Sequence, residues 1–329
     1  MNSVRNVGIA GTGHYVPEQV LSNHDLEKMV DTSDEWIYSR TGMRERRIAS
    51  PDEACSDLCF QASTQALEDA AMTADELQLI IVATVTPDQL LPSTAAFLQE
   101  KLGAKNAGGW DVTNACTGFL SAMTTAYGMI ASGVVDNALV VGAEVLSSIL
   151  NYQDRASCIL FGDGAGAMIL KADQSTGKIL FNCTGMDGSQ WDAIQRPAGG
   201  SRRPLNHEII EKGEHFMSLK GNEVFKFAVA KFRSLIEKSL ADTGHTSADL
   251  ALVVPHQVNS RIIESALKKL DVDMERVYVN LDRFGNTSSA SIPIAFDEVR
   301  RSGRVNKGDL VSFVAFGAGL AWGASLIRW

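Results

Sequence analysis

The sequence contains one arrangement of secondary structure twice, about 170 residues apart, and this repeat limits the possible folds more than any other feature. Residues 66–84 and 238–256 each read as the end of a helix, a polar turn and a strand that is apolar on both faces. A predicted helix and a short strand follow in each half. They lie at 93–104 and 110–112 in the first half, and at 259–272 and 277–281 in the second. The repeat predicts an α/β protein built by tandem duplication.

The repeat continues through a loop and a further helix. Cys116 opens this loop in one half and Asn286 opens it in the other. A glycine typical of a helix C-cap follows each of them by 17 residues, at Gly133 and Gly303. A strand and a hairpin complete each half. In the first half they are predicted at 138–145 and 159–170, and in the second half at 309–316 and 314–327.

The duplication divides the chain into two predicted domains. Residues 1–174 carry the cysteine, and residues 175–329 carry His256 and Asn286, with an insertion at 184–222. Equivalent loops of a duplicated fold meet at a pseudo-twofold axis. The loops that hold these three side chains are therefore predicted to form one site.

Composition excludes several classes of protein. With 45% hydrophobic and 21% charged residues, the chain is typical of globular proteins. No stretch is long and apolar enough to span a membrane, and the N-terminal segment does not read as a signal peptide. The net charge of −9 argues against general nucleic-acid binding. Five cysteines without zinc spacing predict reduced thiols, a cytoplasmic location and no metal site.

Cys116 is the predicted nucleophile. It precedes a helix predicted over 117–131, and the positive end of a helix dipole stabilises a thiolate. A thiolate can take an acyl group from another thioester. A lone cysteine is more often a small buried core residue, but its position between a strand and a helix favours the catalytic interpretation.

His256 and Asn286 are the predicted partners of this nucleophile. His256 directly follows a buried strand, where side chains of α/β sheets point into the ligand crevice. An imidazole beside an amide supplies two N–H donors for a developing enolate oxygen. The glycine loops at 161–166 and 316–319 fit neither a P-loop nor a dinucleotide fingerprint, and are predicted to serve close packing. The second is also predicted to direct the N–H of Ala318 at the reacting carbonyl.

Seven segments together resemble β-ketoacyl-acyl-carrier-protein synthase III, the initiating condensing enzyme of bacterial fatty-acid synthesis in the thiolase superfamily. The resemblance runs from about Val7 to Trp329 and rests on SDEWIYSRTGMRERR (33–47), NACTGF (114–119), LFGDGAGA (160–167), GNEVFKFAV (221–229), PHQVNSRI (255–262), DRFGNTSSASIP (282–293) and FGAGLAWGASLIRW (316–329). It implies a thiolase-like duplicated α/β fold of five layers, α-β-α-β-α.

The resemblance implies a ping-pong reaction. Cys116 takes the acyl group of acetyl-CoA or a related primer, and malonyl-acyl-carrier protein then enters. His256 and Asn286 hold the malonyl thioester oxygen while CO₂ leaves, and the resulting carbanion attacks the acyl-cysteine. The backbone N–H groups of Cys116 and Ala318 form the oxyanion hole. No metal or redox cofactor is expected.

The resemblance also implies where the substrates bind. Trp36 and Arg155 are expected to stack on the adenine of CoA, with Thr32 and Arg40 near its polar parts. A basic patch is expected to receive the acidic carrier protein. Its members are Lys226, Arg261, Lys268 and Lys269.

A homodimer is expected from the resemblance, with Leu91 reaching the partner subunit's acyl pocket. Well-known members often carry phenylalanine at this position, so the length and branching of the primer stay open. Asn114 and Ala321 also depart from the common residues, alanine and threonine respectively. None of these departures changes the three catalytic residue types.

The catalytic residue types of this chain fit the synthase better than other functions. Thiolases use a further cysteine late in the chain, but the last cysteine here is Cys183. Elongating synthases use two histidines, whereas Asn286 takes the second place here. A relative that joins other acyl groups or transfers them to an amine or alcohol stays open, as does a specialised pathway. A non-catalytic scaffold is disfavoured because all three catalytic residue types are present.

Overall fold

The computed structural model describes residues 4–173, 176–268, 270 and 272–329. The strands are β1 (Val7–Tyr15), β2 (Gln19–Ser22), β3 (Glu45–Ile48), β4 (Leu79–Ala83), β5 (Gly108–Val112), β6 (Asn137–Glu144), β7 (Gly164–Ala172), β8 (Lys178–Met186), β9 (Ile194–Gln195), β10 (Ser218–Leu219), β11 (Leu250–Pro255), β12 (Leu310–Gly317) and β13 (Ala321–Arg328). The α-helices are α1 (Asn23–Leu26), α2 (Asp34–Thr41), α3 (Cys55–Asp69), α4 (Thr94–Leu102), α5 (Gly118–Ala131), α6 (Arg155–Cys158), α7 (His207–Glu211), α8 (Gly221–Thr243), α9 (Ser260–Leu267), α10 (Leu281–Phe284) and α11 (Ser291–Arg301).

Nine strands form one mixed sheet in the order β11-β12-β13-β8-β1-β7-β6-β4-β5. The sheet has two halves, joined where Gly8 of β1 pairs with Lys178 of β8. Outward from this junction the order is β1-β7-β6-β4-β5 on one side and β8-β13-β12-β11 on the other, where a bridge from Val253 to Val277 takes the place of a fifth strand. The two halves therefore repeat one topology. The predicted domain boundary at 174/175 lies outside the described residues and stays a prediction.

Three layers of helices enclose the two half-sheets. The outer face of the first half packs against α3 and α4, with Leu58 and Leu98 in this core. The outer face of the second half packs against α8 and α9, with Phe232 and Ile263 in this core. Between the half-sheets lie α5 and α11, whose buried side chains join a third core. The layers run α-β-α-β-α, and the predicted α/β fold class is confirmed.

Small residues let the central helix α11 approach the sheet. A Cβ at Gly166 of β7 would lie 2.6 Å from the backbone nitrogen of Ile294. A Cβ at Gly142 of β6 would lie 2.4 Å from the carbonyl oxygen of Ser289. Atoms this close cannot coexist. These glycines therefore set the distance between the sheet and the loop that precedes α11.

Two local predictions are wrong. Residues 159–170 were predicted as a hairpin, but only β7 is a strand, and it pairs with β1 and β6. Residues 277–281 form a single bridge at Val277 instead of a strand. The second predicted hairpin exists as β12 and β13. Among the described residues, no helix combines the length and apolar character needed to cross a membrane.

The equivalence of the two central loops also needs correction. Helix α5 has 14 residues and α11 has 11, so the second helix is three residues shorter. Counted back from the helix starts, Cys116 corresponds to Ser289 and not to Asn286. The residue before each, Ala115 and Ser288, has a left-handed backbone with φ of 44° and 49°. The loops are equivalent, but the catalytic side chains occupy different positions in them.

Candidate active site

A cavity of about 390 Å³ lies where the loops of the two halves meet. Cys116, His256 and Asn286 all line it, as does Ala318. The rest of its wall is mostly apolar and includes Val85, Leu146, Ile149, Leu160, Phe161, Met217, Leu219, Val224, Phe225 and Phe316. The structure therefore brings together the three side chains that the repeat and the strand ends predicted. Their surroundings suit an acyl chain.

Cys116 lies in a short 3-10 helix, Ala115–Thr117, that leads directly into α5. Burial raises the pKa of its thiol to about 12, a hydrogen bond with Ser288 opposes this, and the charge of Glu144 adds to it. A helix N-terminus is worth at most ~2 kcal/mol, which lowers a pKa by about 1.5. Burial and the charge of Glu144 therefore oppose the stabilisation of the thiolate that the helix provides.

His256 follows β11 and is 1% exposed. Its backbone N–H donates to the carbonyl oxygen of Val314 at 2.8 Å, and its ring meets the edge of Phe316 with 5.8 Å between the ring centres. Its Nδ1 lies 2.8 Å from the hydroxyl oxygen of Ser291. Burial lowers the pKa of the imidazole to about 3, so His256 is neutral near pH 7.

Asn286 is oriented by its own loop. The backbone N–H of Ser288 donates to its side-chain oxygen Oδ1 at 2.8 Å. Because a backbone N–H can only donate, this contact identifies the oxygen and leaves the amide Nδ2 for the cavity. The backbone of Asn286 pairs with Leu160 and Gly162 of the first half, at 2.8 Å and 3.1 Å.

Glu144 connects the loops of both halves. Its Oε2 accepts hydrogen bonds from the Thr86 hydroxyl at 2.7 Å and from the backbone N–H of Val85 at 3.1 Å. Its Oε1 accepts from the hydroxyls of Ser288 and Ser289, both at 3.1 Å. Burial raises the pKa of Glu144 to about 7, although these hydrogen bonds act in the opposite direction. The carboxyl group thus fixes the loops around Cys116 and Asn286.

Gly317 brings the end of β12 against the nucleophile. A Cβ at this position would lie 3.0 Å from both the backbone nitrogen and the Cβ of Cys116. The next residue, Ala318, lines the cavity beside Cys116. The glycine therefore serves close packing, as predicted, and it holds the end of β12 against Cys116.

The residues predicted to bind CoA gather around α2. The guanidinium carbons of Arg40 and Arg155 lie 4.6 Å and 4.7 Å from the ring centre of Trp36. The hydroxyl oxygen of Thr32 is buried and has no hydrogen-bond partner in the described part of the chain. Asn259, which lines the cavity, donates to the carbonyl oxygen of Arg40 at 3.0 Å. This contact connects the cluster to the wall of the cavity.

The basic residues predicted to receive a carrier protein adjoin, in sequence, residues that line the cavity. Lys226 of α8, Arg261 of α9 and Lys268 are exposed, and α8 packs against α9. Their sequence neighbours Phe225 and Ile262 line the cavity.

Two predicted residues are not placed at the cavity. Lys269 lies outside the described residues. Leu91 is 83% exposed and is not among the residues that line the cavity of its own chain. The predicted contact with a partner subunit therefore stays a prediction. In the described ranges, no group of three or more His, Cys, Asp or Glu side chains is arranged to hold a metal ion.

The chain is similar to known proteins in both sequence and structure. Two family models match, 3-oxoacyl-[acyl-carrier-protein] synthase III over residues 110–188 and its C-terminal domain over residues 240–329. A β-ketoacyl-[acyl-carrier-protein] synthase III of Desulfitobacterium hafniense is 51% identical over 324 residues, covering 98% of both chains. The chain belongs to the β-ketoacyl-acyl-carrier-protein synthase III family.

Solved structures of the synthase III family agree over the whole chain. The 3-oxoacyl-[acyl-carrier-protein] synthase III of Aquifex aeolicus VF5 superposes with a TM-score of 0.91 at 41% identity, covering 98% of this chain and 100% of that one. The priming β-ketosynthase of the R1128 polyketide pathway superposes with a TM-score of 0.92 at 34% identity, covering 100% and 98%. The predicted membership of this family is confirmed.

Four residues that support the synthase III site were not predicted from the sequence. Ser288 orients Asn286, and Ser291 contacts His256. Glu144 accepts a hydrogen bond from the hydroxyl of Ser288. The buried amide of Gln257 donates to two backbone carbonyls and accepts from the N–H of Asn280 at 3.0 Å, which fixes the loop after β11. Both serines lie in the segment 282–293 that resembles the family, but serine is too common a residue to indicate a role by itself. Glu144 gave no signal, because its partners are distant in sequence.

Proposed function

We propose that this synthase III family member condenses an acyl-CoA primer, acetyl-CoA first, with malonyl-acyl-carrier protein to give a 3-oxoacyl-acyl-carrier protein, initiating fatty-acid synthesis. The observation that carries the proposal is the convergence of Cys116, His256 and Asn286 in one largely apolar cavity. The full-length resemblance to named synthases supports it.

In the first half-reaction, the sulfur of Cys116 attacks the thioester carbonyl of the acyl-CoA. A new carbon–sulfur bond forms, the bond to the CoA sulfur breaks, and CoA leaves with the proton of the cysteine thiol. Burial raises the pKa of Cys116, which favours loss of this proton together with the attack. The N–H groups of Cys116 and Ala318 stabilise the oxyanion, since β12 packs directly against the cysteine.

In the second half-reaction, malonyl-acyl-carrier protein replaces CoA. Its thioester oxygen accepts hydrogen bonds from the imidazole of His256 and the amide of Asn286. The bond to the carboxylate breaks, CO₂ leaves, and the electron pair forms an enolate. The enolate carbon attacks the acyl group, the bond to the Cys116 sulfur breaks, and the released thiolate takes up a proton from solvent. Neutral donors suit this step, and burial keeps His256 neutral.

The binding roles follow from position. Trp36 and Arg155 would receive the adenine of CoA, with Thr32 and Arg40 at its polar groups, because Asn259 joins their cluster to the cavity wall. Lys226, Arg261 and Lys268 would attract the acidic carrier protein. Lys269 belongs to the same proposal from sequence alone.

We further propose a cytoplasmic homodimer that works without a metal or redox cofactor. The apolar tip formed by Leu90 and Leu91 supports the dimer, because two adjacent leucines are 90% and 83% exposed there. The exposed edge strand β5 supports it as well, because unpaired strand edges favour association. The thioester itself supplies the activation that a cofactor would otherwise provide.

The proposal is tested by product formation. The purified protein would be mixed with malonyl-acyl-carrier protein and a panel of straight and branched acyl-CoAs, and the carrier protein would be analysed by intact mass. A 3-oxoacyl-carrier product that forms fastest from acetyl-CoA supports the proposal. A product formed only from longer primers would favour polyketide-type priming, the activity named for the R1128 relative. No product with any primer would refute condensation.

A further inference from the structure

Arg46 of β3 is a fully buried cation that bonds to three separate segments of the first half. Its Nη2 donates to the carbonyl oxygen of Ile159 at 2.6 Å, and its Nη1 donates to Oδ1 of Asn23 at 2.9 Å and to the carbonyl oxygen of Leu21 at 3.2 Å. All three acceptors are uncharged. Because a buried charge is costly unless it is hydrogen-bonded, these oxygens are held in place around the guanidinium.

Asn23 connects Arg46 to helix α2. An arginine side chain can only donate, so the atom of Asn23 that meets it is the oxygen and the other amide atom is the donor Nδ2. This Nδ2 donates to a carboxylate oxygen of Asp34 and to the carbonyl oxygen of Met43, both at 2.8 Å. Asp34 is the first residue of α2, and Met43 lies just beyond its C-terminal end. One buried amide therefore bonds to both ends of the helix.

Helix α2 depends on these polar contacts because it buries little of its own surface. Only Ile37 and Thr41 of its eight residues are buried. Most helices in proteins are stabilised mainly by the packing of an apolar face, and α2 has little of one. The bonds from Asn23 therefore contribute a large share of what fixes the position of α2, the helix that carries Trp36.

The other branch of the network leads to Arg155. Ile159, whose carbonyl accepts from Arg46, is the C-cap residue of α6, and Arg155 is the first residue of that helix. The guanidinium carbon of Arg155 lies 4.7 Å from the ring centre of Trp36. Arg46 thus bonds directly to the helix that carries one member of this pair, and through Asn23 to the helix that carries the other.

We propose that Arg46 and Asn23 are positioning residues for CoA, which hold Trp36 and Arg155 together as one binding surface for the adenine. The inference deepens the proposed function, on which it rests, because it takes the nucleotide of CoA as the ligand of this pair. Both residues are buried and act through the helices to which they bond. A change at Asn23 should therefore weaken binding of the nucleotide and leave the chemistry at Cys116 unaltered.

The variant Asn23→Asp separates the two sides of this amide. The aspartate keeps an oxygen for Arg46, but its second oxygen replaces the donor and meets the acceptors of Asp34 and Met43, which repel it. With CoA itself as the probe, calorimetry should show binding to the wild type and a Kd about tenfold or more higher in Asn23→Asp, as expected when two buried hydrogen bonds are lost. The matched control is Asn106→Asp, at an exposed asparagine that bonds to a backbone carbonyl, and it should leave the Kd unchanged.

Asp34 provides a second test that leaves the buried residues in place. Asp34→Ala removes one acceptor of Asn23 and should raise the Kd for CoA about threefold or more. Asp34→Asn can offer an amide oxygen to the same donor, so its Kd should return toward that of the wild type. A Kd for CoA that is unchanged in both Asn23→Asp and Asp34→Ala overturns the inference.

The rate of Cys116 acylation distinguishes positioning from a general loss of stability. Intact mass would follow acylation by acetyl-CoA and by S-acetyl-N-acetylcysteamine, a small thioester without the nucleotide. At concentrations below KM, Asn23→Asp should slow acylation by acetyl-CoA about tenfold and leave acylation by the small thioester unchanged. An equal loss with both donors contradicts the inference, and a wild type that binds no CoA overturns it together with the proposed function. Weakened CoA binding in variants of a protein that forms no 3-oxoacyl product would support the inference and refute the proposed function.

Discussion

His256 and Asn286 both line the cavity, and the bond-forming half of the proposed reaction depends on their side chains as hydrogen-bond donors. His256→Ala or Asn286→Ala removes one donor from the thioester oxygen and should lower malonyl decarboxylation at least about a hundredfold, because one such donor is worth ~10²–10³ in rate. Acylation of Cys116 should continue, since it uses other groups. Release of CO₂ and intact mass measure the two steps separately. The exposed His24→Ala serves as control. Normal decarboxylation in both mutants would refute the assigned roles.

Glu144 gives the fold a pH dependence of its own. Its pKa is about 7 in the folded state, against about 4.3 for an unperturbed glutamate. The folded state therefore holds the proton more tightly, and the stability this contributes is complete below about pH 4 and is lost as the pH rises through about 7. Wild type should unfold at a lower urea concentration near pH 8 than near pH 5.5.

The mutant Glu144→Gln isolates this effect. It removes the titrating group, so its unfolding midpoints at the two pH values should differ less than those of the wild type. Glu237→Gln is the control, since Glu237 pairs with Arg233 on the surface of α8. A wild-type difference that Glu144→Gln leaves intact would show that another group is responsible.

At the scale of residues, the positions of strand ends predicted that the catalytic side chains meet in one site. His256 follows β11 directly, and Cys116 follows β5 by a short loop, so their meeting could be inferred from topology. The supporting contacts could not be inferred. The bonds between Glu144 and Ser288 join residues 144 positions apart and depend on how the halves pack. The protonated state of Cys116 also depends on burial, which the helix position alone does not reveal.

Among the elements, the pairing of the Asn286 loop with the first half depends on Gly162. A Cβ there would lie 2.4 Å from the carbonyl oxygen of Phe284. Gly162→Ala should therefore displace this loop, lower the free energy of unfolding by about 1–3 kcal/mol and reduce kcat. Gly188→Ala is the control, because no atom lies within 4 Å of its added Cβ. Chemical denaturation and steady-state kinetics test both. An unchanged kcat in a folded Gly162→Ala would contradict this account of the loop.

The order of the elements was largely predictable, because each half alternates apolar strands with amphipathic helices. The wrong predictions of secondary structure lie where the packing of backbone against backbone determines the path of the chain. Residues 159–163 were predicted as part of a hairpin, but they cross over to pair with the second half at Asn286. Likewise, α11 is three residues shorter than α5, which the matching glycines at 133 and 303 concealed.

For the whole molecule, the proposal requires two chains. Sedimentation should give twice the chain mass of 35.5 kDa. Leu91→Asp places a charge on the exposed apolar tip and should weaken the dimer and change the preferred acyl length. Leu205→Asp, at another exposed leucine, is the control. A monomeric wild type with full activity would refute both the dimer and the proposed role of Leu91.

The central claim is that Cys116 carries the acyl group between two substrates. The most direct measurement is the intact mass of the wild type and of Cys116→Ser after mixing with acetyl-CoA, and again after malonyl-acyl-carrier protein is added. The account predicts an acetyl adduct on the wild type alone, which disappears in the second step as 3-oxobutyryl-carrier protein forms. An adduct that also forms on Cys116→Ser, or product formed by Cys116→Ser at the wild-type rate, would contradict it.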